Sequence, residues 1–158
     1  MRGRFGILVA AVALLAFLAV PAGAGRVLSK SKGQKVYVPV YSHVYQGIKG
    51  KPYNLSALLS LRNVDETRSL IVVSVKYYGD HGQLIKEYLD KPVTVPPLGT
   101  TEVHVAERDT EGGSGANFVV QWKAGESIPT PIIQAVMIGT ASTQGISFVC
   151  DGVVVEEE

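Results

Sequence analysis

The sequence predicts an all-β protein: an antiparallel β-sandwich of immunoglobulin-like type with about eight strands, preceded by a cleavable signal helix. Apolar and polar residues alternate with a period of two in one segment after another, which is typical of half-buried strands. Turn-forming Gly, Pro, Asn and Asp residues separate these segments at short intervals. The chain has a single cysteine, so burial of apolar side chains, without an internal disulfide, must stabilise the fold. A small barrel is the alternative architecture.

The first 24 residues have the order of features found in a secretory signal peptide. Arg2 and Arg4 precede an apolar run that ends at Pro21, and residues 22–24 (Ala-Gly-Ala) fit the cleavage site of signal peptidase. The apolar run is shorter than the roughly 20 residues of a membrane span, which disfavours an uncleaved anchor. We expect an exported product, periplasmic or secreted, that is soluble after cleavage following Ala24 and has no stable membrane span.

The chain after the signal peptide is expected to form one domain. Residues 25–34 are polar and aperiodic and are interpreted as a flexible lead-in, residues 35–154 as the β-sandwich, and residues 155–158 as an acidic tail. Eight segments show the periodicity of strands. They are residues 35–41, 55–62, 71–77, 83–89, 102–107, 118–122, 132–138 and 146–149.

Local patterns also predict details of the sheets. Pro39 has no N–H to donate, which favours an edge position for the first strand. Residues 71–77 and 83–89 are joined by a short connection, residues 79–82, and are expected to pair. Within residues 71–77, the side chains expected on one face are those of Ile71, Val73, Val75 and Tyr77. Cys150 alternates with Ile146 and Phe148, which predicts a buried thiol.

Charge and residue spacing exclude several classes of function. The 15 Lys and Arg nearly balance the 14 Asp and Glu, and no basic patch indicates a nucleic-acid partner. His43, His81 and His104 lack the spacing of metal ligands, and Asp80 beside His81 supplies only two donors where three or four are needed. We therefore expect neither a metal site nor a cofactor.

A glycine-rich segment, residues 109–117, is the strongest candidate binding surface. It lacks the Lys of a phosphate-binding loop, and Ala116 replaces the last glycine of a G-x-S-x-G nucleophile motif. A hairpin loop that only turns the chain is the simplest interpretation. Because loops on a rigid sandwich often carry binding residues, the candidate binding residues are Asp109, Glu111, Ser114 and Asn117.

Three tyrosines form a second candidate surface. Tyr37, Tyr41 and Tyr45 lie near His43 and, at the first strand, on the face opposite its valines. Aromatic rings on a sandwich can stack on sugars, although they more often pack in the core or at interfaces.

Several segments spread over the chain carry a resemblance to a known family: residues 36–43, 54–55, 61–63, 75–78, 112–118, 137–140 and 144–148. In these segments the sequence resembles the bacterial domain of unknown function 3124. The resemblance implies an exported bacterial protein and implies no catalytic residue.

These observations favour a non-enzymatic binding or assembly module of the bacterial cell envelope whose partner is an unknown envelope protein or glycan. Two alternatives remain open. One is a small envelope serine hydrolase that uses Ser114 with a histidine such as His104. The other is a glycan-binding module that uses Tyr37, Tyr41 and Tyr45.

Overall fold

The protein folds into antiparallel strands. A computed structural model describes residues 29–141 and 145–158; the predicted signal peptide, residues 1–24, lies outside them. The described residues contain twelve strands and no helix. The strands are β1 (Lys30–Pro39), β2 (His43–Gln46), β3 (Lys51–Asn54), β4 (Ser56–Arg62), β5 (Leu70–Tyr78), β6 (Leu84–Glu87), β7 (Val93–Val95), β8 (Thr100–Val105), β9 (Asn117–Pro129), β10 (Ile132–Gly139), β11 (Ile146–Asp151) and β12 (Val153–Glu157).

Two sheets form the sandwich. The larger has the order β12-β1-β9-β5-β6, with β7 also paired to β5, and the smaller has the order β11-β10-β4-β8. Strands β2 and β3 form a separate hairpin. The predicted all-β sandwich is confirmed. All eight predicted segments are strands, including the ambiguous residues 83–89, and the four additional strands, β2, β3, β7 and β12, have five residues or fewer.

The core lies between the sheets and follows the predicted alternation in most strands. From the larger sheet Val38, Phe118 and Trp122 are fully buried, and from the smaller sheet Leu59 and Met137 pack against them. In β9 and β4 the inward residues are those that the period of two predicts. The Trp122 indole N–H has no hydrogen-bond partner among the described residues, so packing alone holds this ring.

A β-bulge changes the inward face of β5. The buried residues are Leu70, Val72, Val75 and Tyr77. The prediction of Ile71 and Val73 as inward residues is wrong, because the register against β9 shifts between Val72 and Ser74. A bulge inserts one extra residue and so moves the preceding side chains to the other face.

The pairing predicted for residues 71–77 and 83–89 is confirmed by β5 and β6, whereas β4 and β5 do not pair. They belong to different sheets, and the chain crosses between the sheets through a connection held by two buried polar side chains. The Asn63 side-chain amide donates to the carbonyl oxygens of Arg68 (2.8 Å) and Pro96 (3.0 Å). The Asp65 carboxylate accepts the backbone N–H groups of Thr67 and Arg68, both at 2.8 Å. These bonds fix the connection in an arrangement that a simple hairpin would not allow.

Both ends of the predicted sandwich need correction. Residues 30–34 of the predicted lead-in are part of β1, because the long strand β9 extends far enough to pair with them, with Lys30 opposite Pro129. The predicted acidic tail is mostly part of β12, which pairs with β1. Lys35 forms an ion pair with Glu156, and the Glu158 N–H donates to the Gly33 carbonyl oxygen (2.9 Å). The ordered domain therefore begins at least five residues before Lys35 and includes the glutamates.

Strand β1 is flanked on both sides, so the predicted edge position is wrong for the strand as a whole. Strand β12 pairs with β1 only from Gln34 to Tyr37. Among the described strands, Pro39 lies beyond this overlap and pairs only with Asn117 of β9, so none of these strands lies beside the other side of β1 at the proline. The lack of an N–H at Pro39 is therefore compatible with the position of β1 inside the sheet.

Candidate functional site

The glycine-rich segment, residues 109–117, lies at one end of the sandwich, between β8 and β9; we call it the glycine loop. Backbone hydrogen bonds attach it to two other parts of the chain. The N–H groups of Val40 and Ser42, which follow β1, donate to the carbonyl oxygens of Ala116 (2.9 Å) and Gly113 (3.0 Å). The Asp80 N–H, just after β5, donates to the carbonyl oxygen of Gly112 (3.1 Å). These three bonds therefore hold the glycine loop against the segments that follow β1 and β5.

Close packing leaves no room for a side chain at two positions of the glycine loop, Gly112 and Gly113. A Cβ atom at Gly112 would overlap the Tyr77 hydroxyl and lie 2.7 Å from the Cβ of Ala116. Gly113 has a φ of 76°, in the left-handed region that glycine enters most easily. A Cβ there would lie 2.7 Å from the Asp80 carboxyl carbon. These glycines allow the loop to contact Tyr77 and Asp80 directly.

A cluster of hydroxyl groups and aromatic rings lies beneath the glycine loop. The Ser42 hydroxyl donates to the Gly113 carbonyl oxygen (3.0 Å) and lies 3.5 Å from the Tyr77 hydroxyl. The Tyr77 ring packs against Phe118, with ring centroids 5.0 Å apart, and Phe118 also contacts Tyr88 at 5.8 Å. The cluster supports the loop from the core side.

Carboxylates near the cluster disfavour ionisation of its tyrosines. Burial raises the pKa of Tyr88 to about 12, and the negative charge of Asp109 acts in the same direction. Burial also raises the pKa of Tyr77; the hydrogen bond with Ser42 opposes this shift, while Asp109 and Glu111 add to it. Both hydroxyls therefore remain protonated at neutral pH and can act as hydrogen-bond donors.

Asp80 and His81 form a hydrogen-bonded pair beside the glycine loop. The His81 Nδ1 atom lies 2.6 Å from an Asp80 carboxylate oxygen, and the imidazole is exposed to solvent. These are the two adjacent donors considered for a metal site from the sequence, and the fold brings Asp80 against Gly113. Within the described ranges, no group of three or more His, Cys, Asp and Glu side chains could hold a metal ion.

The four predicted binding residues take different positions around the loop. Asp109 is half-buried, and its carboxylate accepts the N–H of Glu111 (3.3 Å) while the Glu111 side chain is exposed. Ser114 is half-buried in the loop. Asn117 is the first residue of β9 and pairs with Pro39 and Tyr78. The structure thus groups Asp109, Glu111 and Ser114 on the loop and places Asn117 in the sheet below it.

Ser42 and Tyr77 contact the glycine loop but were not predicted from the sequence as candidate site residues. Ser42 carries no motif, and the alternation assigned Tyr77 to the core, where it is indeed buried. Only the tertiary contact with Gly112 and Gly113 shows their role, so no local signal could have identified them.

Ser114 has no histidine partner in the described part of the chain. His104 lies on β8, opposite Leu58 of β4, and its side chain is exposed. None of the hydrogen bonds among residues 29–141 and 145–158 joins Ser114 to a histidine ring. The geometry of a serine nucleophile activated by a base is therefore not formed by these side chains.

The three predicted surface tyrosines lie in three different surroundings. Tyr37 is on the outer face of β1, opposite Val119 and Val153. Tyr41 packs edge-on against Phe148, with ring centroids 5.6 Å apart. Tyr45, on β2, is 62% exposed and contacts the ring of His43 at 5.2 Å. Tyr45 is thus the most exposed of the three.

A shallow groove lies near the opposite end of β9. It has a volume of about 270 Å³ and includes Arg68, Glu126 and Ile128 in its lining. The Arg68 guanidinium contacts Glu126 at 3.0 Å, so its charge is already neutralised within the protein. This groove is open and separate from the glycine loop.

No helix long and apolar enough to cross a membrane occurs in residues 29–141 and 145–158.

No curated protein matches the sequence. A solved structure, titled "Crystal Structure of Thermotoga maritima 1070", is similar over 79% of this chain and 97% of that chain, with 10% sequence identity and a TM-score of 0.47. The family model described as "Protein of unknown function (DUF3124)" matches residues 33–155. Because the match spans most of the chain, this protein belongs to the DUF3124 family.

Proposed function

We propose that this protein is a non-catalytic binding or assembly module of the bacterial cell envelope and that it binds its partner through the glycine loop. The observation that supports this most is the attachment of the loop by three backbone hydrogen bonds to the segments after β1 and β5. A loop that is already ordered loses little conformational entropy on binding, which favours affinity.

The polar groups of the loop define what it could recognise. Asp109 and Glu111 carry negative charge, and the Asp80 carboxylate lies against Gly113. Carboxylates accept hydrogen bonds from Lys and Arg side chains and from sugar hydroxyls. Either an envelope protein with a basic surface or a glycan would fit these groups.

The absence of a histidine next to Ser114 among the described side chains favours binding over hydrolysis, because a serine nucleophile needs an adjacent base. The envelope location rests on the signal peptide predicted for residues 1–24.

Affinity capture from native envelope tests the proposal. Tagged protein beginning at Gly25 is compared with a loop variant that combines Asp109→Ala, Glu111→Ala and Asn117→Ala. A matched control combines Asp90→Ala and Glu102→Ala, which remove two exposed carboxylates outside the loop. We expect the same protein or glycan to be enriched by the unmodified chain and by the control, and to be lost with the loop variant. Equal recovery with all three would refute binding through the loop.

A fluorophosphonate probe tests the catalytic alternative. The probe reacts with activated serines, so the proposal predicts no labelling of the folded protein beyond that of a Ser114→Ala variant. Labelling that disappears with Ser114→Ala would overturn the non-catalytic proposal.

A further inference from the structure

The C-terminal strand β12 has an open edge. It pairs with β1 on one side, and within residues 29–141 and 145–158 no strand pairs with its other side. An unpaired edge presents a row of backbone N–H and C=O groups to any extended chain that can bond to them. The backbone therefore defines the shape of a suitable partner, which is a β-strand.

Three consecutive valines make this edge apolar. The exposed fractions are 59% for Val153, 44% for Val154 and 58% for Val155. Side chains of a strand alternate between the two faces, so Val153 and Val154 point to opposite faces, with Val153 opposite Tyr37 in the register. Soluble proteins usually protect an edge strand with charges, prolines or bulges. Here the register against β1 shifts at Val155, between the pairs Lys35–Glu156 and Val36–Val154, so one bulge lies within the edge, whereas Val153 and Val154 carry neither charge nor proline.

Three glutamates complete the edge. Glu156, Glu157 and Glu158 follow the valines directly, and each makes a side-chain contact with β1 or β9. Among these contacts only Lys35 supplies a positive charge, so the end of the edge remains negative. Antiparallel self-pairing of two β12 edges would place the glutamates of each copy opposite the valines of the other, and parallel self-pairing would place glutamates opposite glutamates. Neither arrangement is complementary, which disfavours a second copy as the occupant.

We infer that the β12 edge binds an extended segment of a partner protein by strand addition. An added strand that runs antiparallel to β12 places its first residues opposite Glu156–Glu158 and its later residues opposite Val153–Val155. The recognised segment therefore has basic residues first and β-branched apolar residues after them. The inference does not involve the glycine loop, so it can fail while the proposed function stands.

A synthetic peptide tests this inference directly. The probe is a fluorescently labelled Lys-Arg-Lys-Val-Thr-Val-Thr peptide, and its binding to the protein that begins at Gly25 is measured by anisotropy. The control peptide, Lys-Arg-Lys-Pro-Thr-Pro-Thr, keeps the charge but lacks two N–H donors of an added strand. We expect the control peptide to bind at least about tenfold more weakly. Equal binding of the two peptides would show that charge attraction alone accounts for binding of the probe, and it would overturn the inference.

Variants of the protein locate the binding surface. Val153→Thr, Val154→Thr and Val155→Thr together keep the β-branched shape while removing apolar surface, and we expect about fivefold weaker binding of the probe. The control Leu84→Thr changes an exposed residue on β6, at the other edge of the same sheet, and is expected to leave affinity within about twofold, since isolated surface changes have small effects.

Three outcomes would overturn the inference. The first is absence of binding by the probe at millimolar concentration, and the second is an equal loss of affinity in the Leu84→Thr control. The third is a concentration-dependent dimer, detected by light scattering, that the three valine substitutions abolish, because a second copy would then be the occupant.

Discussion

Gly112→Ala is expected to destabilise the whole domain, although the residue lies in a loop. The new methyl group would overlap the Tyr77 hydroxyl and lie 2.7 Å from the Cβ of Ala116. Tyr77 cannot move away freely, because it is buried and packs against Phe118 and Tyr88. The strain must therefore be absorbed by the core or by the loop.

The expected loss of stability in Gly112→Ala follows from the crowding around the new methyl group. Forcing one extra methyl group into a well-packed site typically costs 1–3 kcal/mol, so we expect a loss of about 2 kcal/mol in the free energy of unfolding. For a domain of this length, that corresponds to a melting temperature lower by roughly 6–10 °C. Tyr77→Phe removes the overlapping oxygen. The double variant should therefore lose at least about 0.5 kcal/mol less than the sum of the two single variants.

Urea denaturation followed by circular dichroism measures these values. Gly125→Ala is the matched control, because it lies in β9 with no atom within 4 Å of the added methyl group and no positive φ. The control should be unchanged or more stable by up to about 1 kcal/mol. If Gly112→Ala is as stable as Gly125→Ala, the close packing of the glycine loop on Tyr77 is refuted.

Three further predictions concern titrating groups. Because burial raises the pKa of Tyr88 to about 12, its contribution to stability is complete below pH about 10 and is lost as the pH rises toward 12; an absorbance titration should show a late ionisation that Tyr88→Phe removes. Backbone hydrogen bonds from Thr67 and Arg68 lower the pKa of Asp65 below 3.8, so the stability it provides is present above that value and lost as pH falls through the lowered pKa. Asp65→Asn should therefore flatten the acid limb of stability against pH, and an unchanged limb would contradict this assignment. Burial raises the pKa of the half-buried Cys150 thiol, with a further contribution from Asp151, so at neutral pH a disulfide reagent should modify it more slowly in the folded than in the urea-unfolded protein. Equal rates would contradict burial of the thiol.

The local pattern of the sequence was sufficient to predict eight of the twelve strands among the described residues and, for most of the eight, which face is buried. Leu59 of β4 and Phe118 of β9 lie in the core as the alternation predicts. The prediction failed in β5 before Val75, because the bulge depends on the pairing with β9. An alternating pattern reports on the faces of one strand and carries no information about the strand beside it.

The candidate site likewise contains some residues that the sequence could identify and others that only the fold brings together. Its glycines and the residues Asp109, Glu111 and Ser114 could be selected from the sequence, because turn chemistry is local. The tertiary structure alone brought Ser42 and Tyr77 under the loop, since they are separated from Gly113 by many residues and meet it through long-range packing. It also made the final glutamates part of an edge strand instead of a solvated tail. The sequence by itself determined the class of the fold, its eight longer or more strongly alternating strands and the composition of the loop. The pairing of the strands and the contacts that hold the loop were decided by the tertiary structure, because both depend on residues far apart in the chain.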